Sequence, residues 1–236
     1  PMHWGHVVSK DLVHWKHLPI ALTPTEPYEK EGCFSGSAIE KDGKLYLMYT
    51  GHVDLPILST EYADRIESQN IAVSNDGIHF EKIAENPVIY APKHNEVSQS
   101  DFRDPKVWQH DGKYYAIVGS RTPTTDPEGK TAKGQIVLYE SDNLINWNFK
   151  SIIARSEGNQ GFMWECPNLA TIDGTDVLIF SPQGVKPEGK KYLNWHQSVY
   201  MLGNMNYDTG IFSHNNFNNG NFEILEDRKS TRLNSS

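Results

Sequence analysis

Asp42-Gly43-Lys44-Leu45-Tyr46-Leu47, Asp111-Gly112-Lys113-Tyr114-Tyr115-Ala116 and Asp173-Gly174-Thr175-Asp176-Val177-Leu178 each open with an Asp-Gly turn and run into an apolar strand. The turns lie 69 and 62 residues apart. A second series keeps step with them: Ser9-Lys10-Asp11-Leu12-Val13-His14-Trp15, Ser74-Asn75-Asp76-Gly77-Ile78-His79-Phe80 and Ser141-Asp142-Asn143-Leu144-Ile145-Asn146-Trp147, at intervals of 65 and 67 residues. Asp-Gly is a hairpin dipeptide, because a tight hairpin turn needs positive φ at both central residues. A fixed period of strands and turns predicts an array of similar sheets.

Working back from each turn, the residues seven and eight positions earlier are Phe34 and Ser35, then Arg103 and Asp104, then Glu165 and Cys166. They begin the strands predicted over 35–39, 104–108 and 166–172. In a β-propeller, four-stranded sheets surround a central channel, so equivalent strand starts meet at one mouth of it. Asp104 and Glu165, from different units, are therefore expected to face one polar pocket flanked by Arg103, Phe34 and Ser35. Paired carboxylates are what glycosidic bond hydrolysis requires.

Further strands are expected over 44–50, 70–74, 113–119, 135–140, 177–181 and 197–202, from short alternating apolar patterns. Polar stretches at 51–68, 122–134 and 206–219 read as loops. The fold class is all-β. Residues 1–225 are expected to form a partial propeller, with the first half of its first unit upstream of Pro1. The basic, polar segment 226–236 is expected to be a disordered tail foreign to the native protein.

Composition narrows the function. The chain has 236 residues, 37% of them hydrophobic and 11% aromatic, which can support a core. A formal charge of −8 argues against nucleic acid, which would want a basic face. No run of 18 apolar residues suggests a membrane span. Two cysteines, Cys33 and Cys166, in no ligand spacing, read as reduced packing residues of an intracellular, cytoplasmic protein. His3, His6, His14 and His17 cluster in sequence, but residues three apart on a strand point to opposite faces, so a metal site is disfavoured. Trp15, Phe80 and Trp147 are expected to plug the spaces between sheets. Trp4 reads equally as core or as a platform for a sugar ring.

Trp4-Gly5-His6, Asp11-Leu12-Val13-His14-Trp15, Phe34-Ser35-Gly36-Ser37-Ala38, Phe102-Arg103-Asp104-Pro105 and Glu165-Cys166-Pro167 together, in this order, resemble glycoside hydrolase family 32. This is the invertase and sucrose-6-phosphate hydrolase group, and the likeness runs from Pro1 to about Leu225. The stretch Asp176-Val177-Leu178-Ile179-Phe180-Ser181-Pro182-Gln183-Gly184 is most similar to its bacterial sucrose-6-phosphate hydrolases. The resemblance implies a five-bladed propeller, here with part of the first blade, about three further blades and no last blade.

It also implies roles. Glu165 matches the general acid/base and Asp104 the transition-state stabiliser that holds fructose hydroxyls. Trp4, Phe34, Ser35 and Arg103 match residues of the fructose pocket. No metal or organic cofactor is implied, and the partner is a small sugar. The family's nucleophilic Asp lies in a Trp-Met-Asn-Asp-Pro-Asn-type motif that this chain lacks; it is expected upstream of Pro1, which would leave the chain as written inactive. Glu165 must be protonated when it first acts, which favours an elevated pKa, with Met163 and Trp164 as apolar neighbours. Asp104 is expected to stay ionised, paired with Arg103. Other readings are a fructan hydrolase or arabinosidase, or a noncatalytic sugar-binding propeller.

Overall fold

The computed structural model describes residues 1–55, 64–92, 96–126, 130–194, 196–214 and 223–224. Among these there are sixteen strands, one short 3-10 turn at Pro27–Glu29 and no α-helix. The strands form four antiparallel sheets that follow one another along the chain.

The first sheet is a pair, β1 (Trp4–Ser9) and β2 (Trp15–Leu22). The second holds β3 (Gly32–Lys41), β4 (Lys44–Asp54), β5 (Arg65–Ser74) and the short β6 (Glu81–Lys82) and β7 (Ile89–Tyr90), both on β5. The third runs β8 (Phe102–His110), β9 (Lys113–Arg121), β10 (Gly134–Ser141) and β11 (Asn148–Arg155). The fourth runs β12 (Met163–Ile172), β13 (Thr175–Gln183), β14 (Val199–Asn206) and β15 (Ile211–His214), with β16 (Glu223–Ile224) also on β14. These are successive blades of a β-propeller. In the second and third sheets the Ser-containing loops follow the third strand, so β1 and β2 take the places of a third and a fourth strand.

The three Asp-Gly pairs are two-residue hairpin turns. Lys41 pairs with Lys44, His110 with Lys113 and Ile172 with Thr175, and both turn residues have positive φ in every case. That backbone twist matches the twist of the flanking strands.

Cores lie between the sheets, and alternation builds them. On β9, Tyr114, Ala116 and Val118 enter the core shared with the second sheet, while Tyr115 and Ile117 enter the one shared with the fourth. Both faces of the strand are thus covered, and everything from Tyr114 to Arg121 is buried. Met48, Ile71, Phe102 and Leu144 fill the first of these cores; Trp164, Leu178 and Phe180 fill the second. Each fully buried apolar side chain contributes roughly 1.5–3 kcal/mol.

The structure departs from the sequence expectations in three places. The stretch 51–68 is not a loop throughout, since β4 continues to Asp54 and β5 begins at Arg65. Its polar residues His52 and Glu67 look like loop residues but are buried against each other. Within 206–219, Ile211–His214 forms a strand. Trp15 stands 53% exposed, whereas Phe80 and Trp147 pack against neighbouring cores; the sheet of Trp15 has only two strands to lie against. The tail expected at 226–236 lies outside the described residues. Of residues 220–225, Glu223–Ile224 are described, paired with β14.

Candidate active site

The first strand of each complete sheet pairs regularly with the second until it nears its own start, where the register slips. The slips fall between Phe34 and Gly36, between Arg103 and Lys106, and between Glu165 and Asn168. Asp104 (φ 64°) and Cys166 (φ 49°) take left-handed backbone at these points. A β-bulge inserts an extra residue and re-aims the side chains beside it. Left-handed backbone on a non-glycine residue costs on the order of 1–3 kcal/mol and persists only where neighbours over-determine it. Here the Asp104 N–H donates to Thr50 Oγ1 at 2.9 Å, and the Cys166 N–H donates to Asp104 Oδ2 at 2.9 Å. The second sheet therefore holds the bulge of the third, and the third holds that of the fourth.

Strands β3 and β8 lie in contact, as do β8 and β12, so the three bulges meet. Arg103 is the hub. Its Nε and Nη2 donate to Glu165 Oε1 at 3.2 and 2.9 Å, and its Nη1 donates to Asp101 Oδ1 at 2.6 Å and Glu67 Oε2 at 3.1 Å. Burial works against the guanidinium charge, but these carboxylates outweigh it and hold its pKa well above the usual value. Asp101 also accepts from Arg121 Nε. Burial would raise the Asp101 carboxyl; Arg103 and Arg121 overcome that and hold it at about 2.

The geometry brings Asp104, Glu165 and Arg103 together as expected, but two details differ. Arg103 hydrogen-bonds Glu165, Glu67 and Asp101, while Asp104 accepts the Cys166 N–H instead. Burial pushes the Asp104 carboxyl above its ordinary value, opposed by the Arg103 charge and the Cys166 N–H. The apolar surroundings expected for Glu165 are also not what its carboxylate meets. Trp164 is fully buried and stacks on Phe180 at 4.1 Å, leaving Glu165, 26% exposed, against a guanidinium.

Around this pair, Trp4 Nε1 donates to the Phe34 carbonyl at 2.8 Å, so the half-buried Trp4 is tied to the bulge of β3. Phe34 stacks on His52 with ring centroids 4.2 Å apart and planes 8° from parallel. Ser35 is exposed at the bulge itself. Desolvation and the Asp104 carboxylate push the Cys166 thiol up to about 12, and burial puts Cys33 at about 12. Neither is a thiolate at neutral pH, which is the form that reacts.

Sequence reasoning missed Glu67, His52, Asp101 and Arg121. A signal for Glu67 existed: it and Gln69 alternate onto one face of β5. Among the described residues no group of three or more His, Cys, Asp or Glu is placed to hold a metal ion. His14 Nδ1 lies 2.7 Å from Asp11 Oδ2, and His6 packs edge-on against Phe80. Among the described residues, too, no helix is long and apolar enough to cross a membrane.

Comparison with known proteins matches residues 1–228 to the glycosyl hydrolases family 32 N-terminal domain. A sucrose-6-phosphate hydrolase of Bacillus subtilis is 41% identical over 91% of this chain, and one of Escherichia coli is 44% identical over 86% of it. These matches cover 42% and 40% of those proteins, so the chain spans about two-fifths of the length of the curated relatives it matches. Among solved structures, a Bombyx mori beta-fructofuranosidase of the same family superposes with a TM-score of 0.80 at 38% identity, covering 95% of this chain and 43% of that one.

Proposed function

Since this chain belongs to glycosyl hydrolase family 32, we propose that the whole protein hydrolyses the β-fructofuranoside bond of sucrose or sucrose 6-phosphate with retention of configuration. The observation that carries this reading is the placement of Glu165 and Asp104 at the bulged starts of adjacent sheets, where Arg103 bonds Glu165 and Asp104 Oδ2 accepts the N–H of Cys166, the residue after Glu165.

In this reading Glu165 is the acid/base. It gives its proton to the glycosidic oxygen as the bond to the fructose anomeric carbon breaks, and glucose or glucose 6-phosphate leaves. A carboxylate nucleophile about 5–5.5 Å away takes up that carbon as a fructosyl ester. The resemblance assigns this group to an Asp upstream of Pro1. Glu165, now ionised, then accepts a proton from the water that cleaves the ester, and fructose departs.

Asp104 has one carboxylate oxygen engaged by the Cys166 N–H and offers the other to fructose hydroxyls. Those bonds strengthen as the ring flattens and gains positive charge, which is where binding accelerates the reaction. Trp4 and Phe34 supply apolar walls for the sugar, and Ser35 a hydroxyl. The two free thiols favour a cytoplasmic location.

The test is release of glucose from sucrose and of glucose 6-phosphate from sucrose 6-phosphate by the full-length protein, with Glu165→Gln as control. The 236-residue chain alone should turn over neither sugar, because it lacks the nucleophile motif. A full-length protein that binds fructosides without cleaving them would support the sugar-binding alternative and overturn this reading.

A further inference from the structure

We propose that Glu67 is a positioning residue for the acid/base: through Arg103 it fixes where the Glu165 carboxyl stands, and through His52 it fixes the ring of Phe34. The inference rests on the assignment of Glu165 above.

Glu67 is 1% exposed, and a carboxylate withdrawn from water is tolerated only when both oxygens are satisfied. Both are. Oε1 lies 3.0 Å from His52 Nδ1, and Oε2 accepts the Phe102 N–H at 2.8 Å and Arg103 Nη1 at 3.1 Å. The residue belongs to β5, in the sheet before the one that carries Arg103, so the contact crosses between blades. Gln69 stands two residues on, facing the same way. Its Nε2 donates to the Phe102 carbonyl at 2.7 Å, and its Oε1 accepts from Thr50 Oγ1 at 2.7 Å. Both backbone polar groups of Phe102, the residue that leads into the bulge, are therefore held by side chains of β5.

The consequence falls on Arg103. A guanidinium is a rigid planar fork on a long flexible stem. With Nη1 tied to Glu67 and Asp101, the opposite edge, Nε and Nη2, is presented to Glu165 Oε1. Asp101 is itself shared with Arg121. Among the described residues, Glu67 is the one carboxylate on Arg103 that reaches it from the second sheet, so it sets the guanidinium relative to Phe34 on that sheet. His52, between Glu67 and Asp54 Oδ1, carries the same constraint to the Phe34 ring stacked on it. One buried carboxylate thereby registers the acid against the wall of the sugar pocket.

Glu67→Gln tests this in the full-length protein. The amide keeps the size of the side chain and an acceptor for the Phe102 N–H, but loses the charge that orients Arg103. A displacement of about 1 Å at a reacting group costs on the order of a hundredfold. We expect kcat on sucrose or its 6-phosphate to fall about 10- to 100-fold. An aryl β-fructofuranoside, whose leaving group needs little protonation, should lose much less. Glu67→Asp keeps the charge one methylene further back and should fall between wild type and Glu67→Gln.

Near-native kcat in a folded Glu67→Gln protein, or equal losses on the two substrates, overturns the proposal. If Glu67→Gln does not accumulate as folded protein, the two substrates are compared in Glu67→Asp with the same two outcomes. A wild-type protein that cleaves neither substrate overturns the functional reading, and this inference with it.

Discussion

The loops at 9–15, 74–80 and 141–147 repeat one set of hydrogen bonds, whereas the register slips near the starts of β3, β8 and β12 share a position but no side chain, and left-handed backbone appears at Asp104 and Cys166 but not at Ser35. In the loops, the N–H groups of Leu12, Gly77 and Leu144 donate to the hydroxyls of Ser9, Ser74 and Ser141 at 2.8, 2.8 and 3.0 Å. The next two N–H groups donate to Oδ1 of Asp11, Asp76 or Asn143 at 2.8–3.0 Å. Each loop satisfies itself within six residues and contacts little else through its polar atoms. Short polar side chains that bond the nearby backbone are well suited to this. At the bulges the side-chain pairs at 34–35, 103–104 and 165–166 differ in every unit, and their bonds run from one sheet to the next. Where an element closes on itself, repetition keeps its chemistry. Where it meets its neighbours, the side chains differ from unit to unit and their bonds cross between sheets.

The sharpest way to break that contrast is at the bulge of β12. Glu165→Gln keeps the shape of the side chain and removes the proton, and should lower kcat about 10²- to 10⁴-fold in the full-length protein, with little change in substrate affinity. Activated fructosides should regain part of the rate. Equal losses on natural and activated substrates would sink the assignment.

Next is Asp104→Asn, which should separate activity from stability. Turnover is expected to fall by about 10²-fold or more, the usual cost of a lost transition-state contact. Stability should move the other way. The Asp104 carboxyl is pushed above its ordinary value, so the folded state prefers the proton, and its ionisation as pH rises costs stability. At pH 7 the amide removes that cost, and Asn tolerates the left-handed backbone. Tm should rise at pH 7, with the gain shrinking toward about pH 4. A Tm that falls at pH 7 would contradict this account of the bulge.

Asp101 gives the opposite sign. Arg103 and Arg121 hold its folded carboxyl at about 2, below the unfolded value, so its contribution is present above about pH 4 and is lost as pH falls toward 2. Asp101→Asn should cost about 2 kcal/mol at pH 7 and almost nothing near pH 2. Chemical denaturation across that range measures it, and a loss that does not depend on pH would refute the linkage.

The smallest effect belongs to the loops. Leu12 takes φ 61° where the second unit has Gly77 at 69°, and its side chain is exposed. Leu12→Gly should relieve left-handed strain and stabilise by about 1 kcal/mol. Leu144 has φ 69° but is fully buried in the core, so the same change there should lose stability. A shared sign in denaturant titrations would show that the loops are not the self-contained units described above.

Much of this molecule was legible in its residues. The Asp-Gly period located the hairpins, since a two-residue turn depends only on the backbone freedom of those two residues. Counting back from the turns found Phe34, Arg103, Asp104 and Glu165, because strands in register place equivalent residues at equivalent depths. The polar loops were recognisable for the same reason, as every bond in them is local. Tertiary structure alone decided the rest. Arg103 bonds partners 36 and 62 residues away, Glu67 and Glu165, rather than the adjacent Asp104, and only the packing of neighbouring sheets brings those carboxylates to it. His52 and Glu67 lie in a stretch whose polarity reads as loop, and only the packing of two sheets makes them a buried pair. Trp15 matches Phe80 and Trp147 in sequence yet stands exposed, since burial belongs to what lies beside a residue in space. Local hydrogen bonds are set by spacing along the chain, while buried charges are set by which sheets come to face each other.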